Sequence, residues 1–396
     1  MKYKLILLLI VVMDVGILFF ESSRLSISSS EAYLLYNETG FLQWMILSSL
    51  KLFGHNDFAL RLPFLFFHIC SIFLMYQLSK EYLPNERNRI WLLVAFILLP
   101  GVVSSAVIVS HAGFLIFALL LFFYMSKINI KFAHVLLFTY AFIDGGFSYL
   151  FLGLFIYYIT HKKNYLALYN LVLYGVNIYL YGFTIHGYPR GHFLDTIGLY
   201  SAIFTPIIFI YISYVLYRRY LTGQKDKLYY VAATALVFSL LTSFRQKIDI
   251  EEFAPYLIIA LPLAAQTFAS SYRVRLKQHR KGYRTIFIVA FALLILNTLV
   301  VFFNKELYLI LDDPKKNFVY NNDIAKELAK ELQSRGIKCL HTDKKMQRRL
   351  RFYGIEKCDG YLLEELPLQS KKEPNVTIRY KEIPLYKADV TKLNNK

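Results

Sequence analysis

The chain has 396 residues, of which 56% are hydrophobic and 17% aromatic. A soluble domain of that length is far less apolar, so the composition excludes an ordinary globular protein. The formal net charge of +18 would suit a nucleic-acid binder, but its distribution argues against one, because the basic residues cluster in alternate connections between apolar runs.

The first apolar run lies near residues 4–20, behind Lys2 and Lys4. No small-x-small cleavage site follows it, so it reads as a retained anchor rather than a signal peptide. Further runs long enough to approach the ~30 Å of a bilayer core lie near 58–78, 90–109, 112–126, 132–145, 146–160, 165–182, 199–217, 228–244, 252–271 and 285–303. The expected fold is therefore a polytopic α-helical membrane protein of about eleven transmembrane helices, with residues 1–303 as the membrane domain. Lys80, Arg87, Arg89, Lys127, Lys131, Lys162, Lys163, Arg218, Arg219 and the run from Arg273 to Arg284 fall on one side. The positive-inside rule makes that side cytoplasmic, which puts the N-terminus inside and the C-terminus outside.

The connection between the first two spans, residues 21–61, is long and mixed. It carries Glu31, Glu38, Lys51, His55, Asp57 and Arg61 among Tyr33, Leu34, Leu35, Tyr36, Trp44 and Met45. Polar groups kept beside large apolar ones suggest a segment lying along the bilayer surface, with charges aimed at a cavity. A second external concentration of chemistry, between Thr184 and Asp195, contains His186, Arg190, His192 and Asp195 around Gly187, Pro189 and Gly191. It reads either as a substrate-binding or gating loop or as plain surface. Two histidines and an aspartate there do not make a metal site, and neither a metal nor a cofactor is expected. Arg245 and Lys247 sit on the less basic face beside Asp249, Glu251 and Glu252. They are candidate phosphate ligands, the alternative being ordinary interfacial anchoring. His111 reads either as a ligand or proton carrier or, as is commoner, as a hydrogen-bonded histidine near a helix end, and His68 and Asp144-Gly145-Gly146 read as structural.

After Phe303 the chain turns polar. Asn321-Asn322-Asp323 is placed to cap a helix through Ile324, Leu328 and Leu332 that stops at Gly336. A strand follows at Ile337–Leu340, and Asp343 can cap a second helix that closes at Gly354. Val376 to Tyr380 alternates as a strand does. Residues 304–396 are thus expected to form a small extracytoplasmic α/β domain. An exported Cys339 and Cys358 are free to pair, though spacing does not decide whether they do.

Ser30-Glu31-Ala32-Tyr33, then Lys51-Leu52-Phe53-Gly54, then Ala59-Leu60-Arg61-Leu62-Pro63 resemble the first external loop of the membrane glycosyltransferases that use polyprenyl-phosphate sugars. These include protein O-mannosyltransferases and the aminoarabinose transferases of lipid A. Arg245-Gln246-Lys247 ahead of Pro255-Tyr256, and His341-Thr342-Asp343 ahead of Arg351-Phe352-Tyr353, extend the resemblance. It implies a bacterial cytoplasmic-membrane enzyme that moves a sugar from a polyprenyl-phosphate donor to a lipid, glycan or protein acceptor outside the cytoplasm. Membrane lipids would be its surroundings, with no nucleic acid involved.

Two departures stand out. The family's first-loop Asp, its usual base, is Ser30 here, and an acidic residue near the head of its fourth span is His111. A serine with no activating partner is no general base near neutral pH. Glu31 is therefore the candidate catalytic base, its alternatives being a solvated glutamate or a partner of Arg24. Arg61, Arg245, Lys247, Arg190, His192 and Asp195 are the candidate substrate-binding residues. Loss of the chemistry, leaving a carrier-binding or scaffold protein, is the second reading. A transporter is disfavoured because the sequence displays no buried charge pairs or broken-helix repeats at mid-membrane.

Overall fold

The computed structural model describes residues 2–182, 191–311, 313–369 and 374–392. Its contacts divide into two compact units. The first comprises Met1–Leu18 and Phe64–Thr298, and the second Phe19–Pro63 and Leu299–Lys396. Residues 304–396, expected as a separate domain, thus belong to a unit that also takes in the first connection.

Each expected span is helical, but fewer meet the requirements for crossing a membrane. Among the described residues, five helical stretches are long and apolar enough: Leu5–Arg24, Asp57–Tyr82, His111–Ile128, Ile250–Val274 and Gln278–Phe302. The number rises to seven if two bent pairs each count as one span. These are Glu86–Ile97 with Pro100–Val107, bent by 59°, and Phe193–Phe204 with Pro206–Thr222, bent by 105°. A proline begins the second arm of each pair, where its missing N–H costs nothing but a straight continuation is barred. Elsewhere in the first unit, Asp14 and His68, both buried, meet at 2.7 Å between the helices Lys2–Arg24 and Asp57–Tyr82.

In the first unit the helix Ser148–Thr160 packs against both Asn164–Tyr181 and Lys227–Ser243, and Ile250–Ile258 packs on His111–Ile128. Gly153 permits the close approach of Ser148–Thr160 to Lys227–Ser243, since a Cβ there would lie 2.7 Å from the Val231 backbone. Gly113 does the same near the head of the His111–Ile128 helix, where a Cβ would lie 2.5 Å from the Ser105 carbonyl oxygen.

In the second unit, β1 (Cys339–His341), β2 (Glu356–Leu366), β3 (Val376–Tyr380) and β4 (Ile383–Lys392) form one sheet in the order β1-β2-β4-β3. β1 runs parallel to β2, and the other pairings are antiparallel. The helices Ala325–Ser334 and Lys344–Phe352 bury Leu328, Leu332, Met346 and Leu350 in the same core as Leu340, Val376 and Tyr386. Asp343 caps its helix as expected, and Gly336 and Gly354 follow the helix ends with φ of +76° and +82°, conformations that favour glycine. The other cap differs. Asn321 and Asn322 lie in a short 3-10 turn, and Ile324 precedes the helix without a side-chain cap. Cys339 and Cys358 are joined, with a separation of 19 residues. Closing a loop of that size contributes about 3 kcal/mol. Replacing both cysteines by serine in the full chain should therefore speed amide exchange in residues 325–392 by roughly a hundredfold, and unchanged protection would refute the staple.

Candidate functional site

The first connection folds into two short helices, Ser29–Tyr36 and Phe41–Phe53. Ser28 and Glu31 make a capping box: the Glu31 N–H donates to Ser28 Oγ at 3.2 Å, and the Ser28 N–H donates to Glu31 Oε2 at 2.7 Å. The Glu31 carboxylate also receives Arg61 Nη2, at 3.3 and 3.1 Å to its two oxygens. Both side chains are wholly buried. The remaining Arg61 bonds go to carbonyl oxygens, from Nη1 to Ser22, Leu25 and Asp57 and from Nη2 to Ser26. Glu31 thus lies wholly buried between its own helix start and the Arg61 guanidinium, and Arg61 lies among backbone carbonyls. The cause is local: a glutamate three residues after a serine cap turns back on its own helix start.

Asp57 is equally committed. It pairs with Lys326 at 2.8 Å and accepts from the Tyr353 hydroxyl at 2.6 Å. Burial, reinforced by the Asp57 charge, holds the Tyr353 phenol above its ordinary range, so it stays a neutral donor. The same oxygen accepts the Ile27 N–H, while Arg349 Nε donates to the Ile27 carbonyl. Arg348 lies over Tyr33 and bonds Asn37 Oδ1, and Arg351 lies over Tyr36. The Lys344–Phe352 helix thus grips the first connection within the second unit.

The first unit holds a different constellation. A cleft of about 60 Å³, room for a few waters, is lined by Ser148, Tyr149, Tyr181, Thr242, Gln246, Asp249 and Glu252 among others. Asp249 caps the Ile250–Ile258 helix by accepting the Glu251 N–H. Asp249, Asp144, His111 and Glu251 act electrostatically on the Glu252 carboxyl. Asp144 Oδ2 meets His111 Nδ1 at 2.5 Å, with the aspartate buried and the histidine side chain 36% exposed. The other oxygen, Oδ1, accepts the Gly146 N–H at 2.7 Å. The Asn177 amide holds the carbonyls of Ala141 and Asp144, each at 3.0 Å, and the Tyr256 hydroxyl donates to the Gly146 carbonyl at 2.6 Å. The turn carrying Asp144 is thus fixed from three sides.

Arg245 and Lys247 are exposed and flank Gln246, which lines the cleft. His192 donates its backbone N–H to the Ser243 carbonyl and pairs with Asp195 at 3.1 Å, and Phe193 stacks on Phe244. The turn holding Arg245 and the start of the Phe193–Phe204 helix therefore meet, bringing four of the expected binding residues to one corner. Arg190 lies outside the described residues. The pairing of His111 with Asp144 was missed because each residue was read singly. The available signal was that both stand at the head of apolar helical runs.

The fold is similar to that of ArnT, the lipid A aminoarabinose transferase, from Cupriavidus metallidurans in the apo state. The TM-score is 0.57 at 14% sequence identity, covering 89% of this chain and 75% of that one. No family model matches the sequence, and no curated protein matches it. The chain therefore has the fold of a membrane glycosyltransferase.

If the Glu31–Arg61 pair is structural, removing one partner should cost about 3–5 kcal/mol, because the other charge stays buried. Arg61→Leu and Glu31→Gln should each lower the thermal unfolding midpoint in detergent by several degrees. A Glu31→Gln protein of unchanged stability that has lost only turnover would restore Glu31 as a base.

Proposed function

We propose that this protein transfers a sugar from a polyprenyl-phosphate donor to a lipid, glycan or protein acceptor outside the cytoplasm of a bacterium. The observation that carries this reading is the likeness in fold to ArnT across 89% of the chain. A fold admits many chemistries, so the site residues have to supply the rest. Such a transfer requires a proton acceptor for the attacking hydroxyl and cations for the departing phosphate. Arg245 and Lys247, flanking a residue of the cleft, are assigned to the phosphate. His192 and Asp195 are assigned to the substrate's polar groups, with Arg190 from the same segment. Glu31 and Arg61 shape the first connection instead of reacting.

The N-terminus is assigned to the cytoplasm and the second unit to the exterior. The alternate clustering of basic residues supports this, as does the Cys339–Cys358 disulfide, a bond favoured in oxidising compartments. A second reading, a protein that binds the lipid carrier without transferring sugar, draws on Ser30 and on the enclosure of Glu31.

Titration of the full-length protein in nanodiscs with undecaprenyl phosphate separates the phosphate assignment from general lipid contact. Arg245→Ala with Lys247→Ala should weaken binding roughly ten- to a hundredfold, and unaltered affinity would remove both residues from the site. Release of free polyprenyl phosphate from polyprenyl-phosphate sugars, with a bacterial membrane extract supplying both donors and acceptors, tests transfer itself. Binding with no release from any donor in the extract would favour the second reading.

A further inference from the structure

We propose that His111, oriented by Asp144, is the proton acceptor of this transfer, an assignment that rests on the transferase reading above. In the first connection, Glu31 is held by Arg61 and the Ser28 N–H, Asp57 by Lys326 and Tyr353, and Glu21 by Arg24. Ser30, whose hydroxyl lies 3.1 Å from that of Ser28, has no basic partner there.

The first unit offers the alternative. An ionised carboxylate only accepts hydrogen bonds, so Asp144 Oδ2 holds the His111 proton on Nδ1 and places the lone pair on Nε2. That is the arrangement an oriented imidazole base needs. Asp144 has little freedom to release the ring, since Gly146, Asn177 and, through Gly146, Tyr256 fix its turn. The glycines are part of the design. A Cβ on Gly146 would lie 2.6 Å from Leu115 Cδ1 and 3.0 Å from Asp144 Oδ1, and one on Gly113 would meet the Ser105 carbonyl. The aspartate is buried, whereas the histidine side chain is 36% exposed, as a pair needs when one member orients and the other reacts. The pair also adjoins the cleft, because Gly145, next to Asp144 in the chain, lines it.

In the step itself, His111 Nε2 takes the proton from the acceptor hydroxyl as that oxygen bonds to the anomeric carbon. The bond from this carbon to the phosphate oxygen breaks, and its electron pair leaves with the polyprenyl phosphate. Asp144 remains ionised and stabilises the imidazolium, which then returns its proton to water.

The test uses the full-length protein in nanodiscs, with release of polyprenyl phosphate from the extracted donors and binding of undecaprenyl phosphate measured side by side. His111→Ala should lower turnover by about 10²- to 10⁴-fold with binding unchanged, and added imidazole should restore part of the rate. Asp144→Asn, which keeps the shape of the turn, should lower turnover without altering binding. Release by wild type that His111→Ala leaves undiminished overturns the base and leaves the transferase reading standing. A loss in both variants that imidazole does not restore, matched by an equal loss of binding, marks a structural pair and also overturns it. Wild type that binds undecaprenyl phosphate but releases none from any donor sinks the transferase reading, and the base with it.

Discussion

The second unit depends on the burial of one guanidinium. Arg61 is wholly enclosed, and enclosing a charge costs several kcal/mol unless its donors are met. Its Nη1 and Nη2 donors are met by the carbonyls of Ser22, Leu25 and Ser26, by that of Asp57, and by the Glu31 carboxylate, while the buried Nε is left without a hydrogen-bond partner. The first three carbonyls belong to the end of the Lys2–Arg24 helix and the residues just beyond it, where carbonyls lack intrahelical partners and the dipole favours a cation. Glu31 lies in the first turn of the next helix, where the dipole favours an anion. A single ion pair thus joins one helix end to one helix start, and the first connection takes its path from that junction.

The first unit is organised by small residues and amides rather than by a central charge. Gly113, Gly146 and Gly153 stand where a methyl group would collide with backbone or side chain. Asn177, buried on the Asn164–Tyr181 helix, satisfies two carbonyls of the Ala141–Asp144 stretch at once. In a chain this apolar, such bonds are the alternative to leaving polar backbone unpaired in hydrocarbon. They also bring His111 and Asp144, from separate helix starts, to one place.

Helix positions were legible from apolar run length, but crossings were not. The run near 132–145 becomes the helix Ile130–Tyr140, followed by a turn that Asp144 caps. Its 11 residues extend only ~16 Å, about half a bilayer core. Pro100 and Pro206 divide two other runs, and hydropathy alone does not register a break. In the C-terminal part, Asp343, Gly336 and Gly354 marked helix ends because capping is a local property. Asp359-Gly360 resembles a turn in sequence yet lies within β2, where pairing with β4 overrides the local preference. The ion pairs were out of reach for the opposite reason. Glu31 and Arg61 are 30 residues apart, His111 and Asp144 are 33, and Asp14 and His68 are 54. No periodicity links partners that only tertiary packing brings together.

The corner between Phe193–Phe204 and Pro206–Thr222 is built on Thr205, a buried residue with φ of +65° and ψ of +148°. A β-branched residue in that region carries about 1–3 kcal/mol of backbone strain, and the proline that follows bars it from relaxing into a helix. Straightening the two arms into one rod would require Thr205 to adopt the helical conformation that Pro206 disfavours, so the corner is written into the local sequence.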